Sequence, residues 1–143
     1  MFATLLEPAA FAGTFEERLA LVQRLGGPYF SSDSEELRQA RAAGAQAAYL
    51  IVDREGRDLV AAVRDAAAIQ PEIVAIRTGR LSAAQQHNAK EFEELAAALA
   101  AAEGLHRMIV AVDSPIAPIS AAEWGRLPAE SLLIDPIGDP DAW

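Results

Sequence analysis

The chain has no cysteine, so disulfides and thiolate metal sites are closed to it, which fits a reducing compartment. Basic side chains are scarce, 12 against 21 acidic, and the formal charge of −9 argues against neutralising a phosphate polymer. Nucleic acid is therefore excluded as the expected partner. No segment approaches the roughly 18 uninterrupted apolar residues of a membrane span, and no basic region precedes an apolar secretory core near Met1. A soluble, cytoplasmic protein with no membrane role is the expectation. Glycine patterns that cradle phosphates are missing too: there is neither Gly-x-Gly-x-x-Gly after the first strand nor Gly-x-x-x-x-Gly-Lys-Ser. The two histidines, His87 and His106, have no companion at zinc-ligand spacing, so neither metal nor cofactor is expected. Aromatics make up only 6% of the residues, and abundant alanine points to close packing of small side chains.

What is present is an alternation of short apolar runs with helical patterns. Phe2 to Leu6 is a first strand, stopped at Glu7-Pro8 because proline cannot donate to a ladder. Thr14-Phe15-Glu16-Glu17 has the form of a capping box and opens a helix over 15 to 25, ended by Gly26-Gly27. Pro28 to Phe30 is a short edge-like strand, and Ser32-Asp33-Ser34-Glu35 caps the next helix.

Ala48 to Val52 is apolar on both faces, as a central parallel strand should be, and ends on Asp53. A helix over 56 to 68 leads to the strand Ile73 to Arg77, which ends at Thr78-Gly79. Ser82 opens the longest helix, with Phe92, Leu95 and Leu99 on one stripe and Gly104 at its end. Met108 to Val112 is the fifth strand, followed by Asp113-Ser114-Pro115. Ser120 to Glu123 caps a short helix, Leu132 to Ile134 adds a short strand, and the remaining tail is rich in turn formers.

This alternation predicts a single α/β domain over 1–143, with 116–143 as an irregular C-terminal extension. The architecture is a three-layer αβα sandwich with a mainly parallel five-stranded sheet, flavodoxin/receiver-like. Ligands gather at the carboxyl ends of such strands, so the candidate face is Glu7, Asp53, Arg77, Thr78, Asp113 and Ser114. A nucleophilic Ser114 needs a base within reach, but His106 precedes the fifth strand and should lie at the far edge of the sheet. No catalytic residue is assigned on this basis. His87 is read as a solvated helix residue, and Trp124 and Trp143 either anchor a partner or cover the core edge.

In this phase residues 2 to about 115 resemble the receiver domain of bacterial response regulators, in a degenerate, pseudo-receiver form. The resemblance places Asp53 at the phosphoacceptor position, Thr78 at the switch hydroxyl and Glu7 in the acidic first turn. One acid stands where that family places a pair for magnesium, and Asp113-Ser114-Pro115 replaces its Lys-Pro, setting an anion where a cation would meet a phosphoryl group. The resemblance implies a non-catalytic protein-interaction module in bacterial signalling, with a protein partner and a possible homodimer. Two alternatives stand beside it: a small enzyme using strand-end carboxylates on an anionic substrate held by Arg77, and a structural subunit of a phage or secretion assembly.

Overall fold

The computed structural model describes residues 13–85 and 88–135. Within them the chain runs α1 (Phe15–Leu25), β1 (Tyr29–Ser31), α2 (Ser34–Ala42), β2 (Ala47–Val52), α3 (Leu59–Ala68), β3 (Ile73–Arg77), α4 (Ala89–Ala100), β4 (His106–Ala111), α5 (Ala121–Trp124) and β5 (Ser131–Ile134), with a 3-10 turn at Ala83–Gln85. The expected strand at Phe2 to Leu6 lies outside the described residues, as do Glu7, His87 and Trp143.

Local chemistry sets most of the boundaries. Thr14 and Glu17 form the reciprocal capping box, and Gly26 closes α1 in the left-handed region at φ 76°. Asp33 accepts from the backbone N–H groups of Glu35 and Glu36 to start α2, and Asp58 accepts from Ala61 to start α3. The long helix departs from expectation. It starts at Ala89, capped by Asn88, and not at Ser82. Ser82 is committed elsewhere: it bridges to Ile116, while Ala83 N–H donates to the Pro115 carbonyl and Ala117 N–H to that of Leu81. Those bonds hold residues 81 to 83 against the loop that follows β4 and leave one 3-10 turn before the chain can wind.

The α/β class is as the sequence pattern implies: among the described residues five strands, all parallel, are flanked by helices, and the side chains on both faces of the sheet are buried. One feature of the winding is its own. Sheet order follows chain order, β1-β2-β3-β4-β5. In the flavodoxin-like order the first strand separates the second from the third, whereas here β2 pairs directly with β3, Leu50 opposite Ala75. Crossovers that always step the same way deliver their helices to one side. Accordingly α1 and α2 pack on Tyr29, Ala47 and Tyr49, and α3 and α4 pack on Ile51, Val74, Ile76 and Ile109 of the same face. Phe30, Ala48, Leu50, Ala75 and Val110 form the buried opposite face.

The alanine-rich side of the long helix is core: Ala98 and Ala102 are buried with Val63 and Ala66 of α3. The stretch expected as an irregular extension carries α5 and β5 as far as Ile134, and the half-buried Trp124 packs against the main core. β5 is tied to β4 by a strong pair, since Arg107 gives Glu130 its backbone N–H at 2.6 Å and its guanidinium at 2.5 Å. Among the described residues no helix is long and apolar enough to cross a membrane.

Leu95 is fully buried at the centre of the main core, and Leu95→Ala should cost about 3 kcal/mol in chemical denaturation. The side-chain hydrogen bond from Arg107 holds the Glu130 carboxyl down at about 2 against an ordinary 4.5. A carboxyl depressed on folding adds stability that is complete above its unfolded value and lost as pH falls toward the folded one. Stability should therefore decline from about pH 4.5 toward 2, and Glu130→Gln should flatten that slope in denaturation series taken across this window.

Candidate functional site

The carboxyl ends of β2, β3 and β4 carry every candidate residue that the structure describes. Asp53 leaves β2 with its N–H bonded to the Arg77 carbonyl, and Thr78 leaves β3 with its N–H bonded to that of Val110. Both backbones continue the ladder by one residue, which fixes where their side chains emerge. Asp53 and Thr78, paired in the sequence reading only as neighbouring strand ends, touch: Thr78 Oγ1 donates to Asp53 Oδ2 at 2.8 Å.

The partner that sequence reasoning missed is Arg80. Its Nε donates to Asp53 Oδ2 at 2.6 Å and its Nη2 to Oδ1 at 3.3 Å, while Nη1 reaches Glu94 of α4 at 2.7 Å. Its own N–H donates to Thr78 Oγ1, so the turn Thr78-Gly79-Arg80 folds the guanidinium back over the carboxylate. The pair is sheltered, with side-chain exposures of 16% for Arg80 and 7% for Asp53. Bonding to Asp53, opposed by burial, raises the guanidinium pKa further above its ordinary value. The cation absent after the fifth predicted strand is thus supplied to Asp53 from the loop after β3. One signal was available: Arg77 and Arg80 stand three apart in an otherwise acidic chain.

Arg77 points elsewhere. It forms a two-point pair with Asp113, Nε to Oδ2 at 2.9 Å and Nη2 to Oδ1 at 2.5 Å, across the ends of β3 and β4. This bonding holds the Asp113 carboxyl below its usual range although partial burial opposes it. Ser114 follows half-buried in the same loop. His106 opens β4 at its other end, where Nε2 meets Ser131 Oγ at 2.7 Å, so the length of the strand separates it from Ser114.

The two strand-end clefts differ. Between β3 and β4 the loops are joined by the bonds through Leu81, Ala83, Pro115 and Ala117. Between the β2 and β3 loops and the start of α4 a crevice of about 420 Å3 stays open, lined by Asp53, Arg54, Glu55, Gly79, Arg80 and Glu91, with Gln85 at its side.

These residues do not fit the divalent cation implied by the receiver resemblance. Among the described residues no group of three or more His, Asp or Glu is placed to hold a metal ion, and Arg80 covers the Asp53 oxygens that would ligate one. Chemically, Asp53 is an acceptor already given three hydrogen bonds.

Removing one partner of a sheltered ion pair leaves the other charge uncompensated, so Arg80→Ala should cost about 3 kcal/mol. Asp53→Asn should recover part of that loss, and a double-mutant cycle by urea denaturation measures the coupling. No protein-family model matches the chain, and no curated protein matches it in sequence.

Proposed function

We propose that the chain is a non-catalytic protein-interaction module of the receiver-like kind, working in bacterial signalling in the cytoplasm. It docks a protein partner through the carboxyl-end face that includes Asp53, Arg77, Thr78, Asp113 and Ser114, with Glu7 completing the set in sequence. A second copy of the chain is one candidate partner.

The observation that carries this reading is the internal pairing of the charged groups. Asp53, at the position that the resemblance gives to a phosphoacceptor, is engaged by Arg80 and Thr78, and Asp113 is engaged by Arg77. A nucleophile needs an available lone pair and a base or metal to raise its reactivity. A carboxylate gripped by a guanidinium is instead a stabilised anion, and attack would have to break the pair first. What these pairs do well is present a fixed pattern of charge and hydrogen-bonding groups on a rigid sheet end. Such a pattern suits recognition, because preorganised side chains lose little freedom on binding.

The test is a titration of labelled protein with magnesium and beryllofluoride, following the amide resonances of Asp53 and Thr78. No saturable shift is expected. Saturable shifts confined to these residues would restore an active phosphoacceptor and overturn the non-catalytic reading.

A further inference from the structure

We draw no further inference here: the strongest candidate, the apolar sheet face of Phe30, Leu50, Ala75 and Val110 turned away from α1 to α4, has nothing among the described residues to show what covers it.

Discussion

A parallel sheet buried on both faces has no place for charge along its strands, and much of this molecule follows from that constraint. Val74, Ala75 and Ile76 are almost wholly buried, as are Ile109 and Val110, so the interior stretches of β3 and β4 are apolar on both sides. Polar side chains are displaced to the strand ends. There the backbone leaves the ladder and short loops begin, so Asp53, Arg77, Thr78, Arg80 and Asp113 gather on one rim of the sheet. Five ionisable or hydroxylic groups in so small a space must satisfy one another, and they do so as two arginine–aspartate pairs and one threonine bridge.

The sequential winding gives that rim its shape. A doubly wound sheet opens its ligand crevice where the strand order reverses. No reversal occurs among the described strands, so the opening here has a different origin. It depends on which neighbouring loops are bonded to each other: those after β3 and β4 are, through Leu81, Ala83, Pro115 and Ala117, and the space between the loops after β2 and β3 stays open. A local hydrogen-bond pattern thus does the work that topology does in other α/β proteins.

These differences explain what was legible in the sequence. Continuous apolar runs closed by Asp53 and Thr78 revealed adjacent strand ends, because a run apolar on both faces belongs in a parallel sheet and the next strand follows one helix later. Caps at Thr14, Asp33 and Ser120 were legible because their chemistry is contained within four residues. The start of α4 was not. Ser82 has the form of a cap, but the bonds that claim this stretch come from Pro115 and Ile116, over thirty residues away. Arg80 was missed for a related reason. Its role depends on a turn that reverses its side chain onto Asp53, and periodicity carries no information about turns of that kind. Strand order lies further still from view, since an apolar run looks the same whichever neighbour it pairs with.

The four residues Arg77-Thr78-Gly79-Arg80 hold more of the molecule than their length suggests. Through them β3 is bonded to Asp53 after β2, to Asp113 after β4, and to Glu94 on α4. Elements far apart in the chain therefore share one fastening. Opening that turn would unpair side chains at three strand ends and on α4 at once, whereas opening any single partner would leave the other pairs in place. The rim behaves as one cooperative unit of local unfolding, and its amides should exchange with solvent together, at a free energy set by this turn and not by the loops on either side.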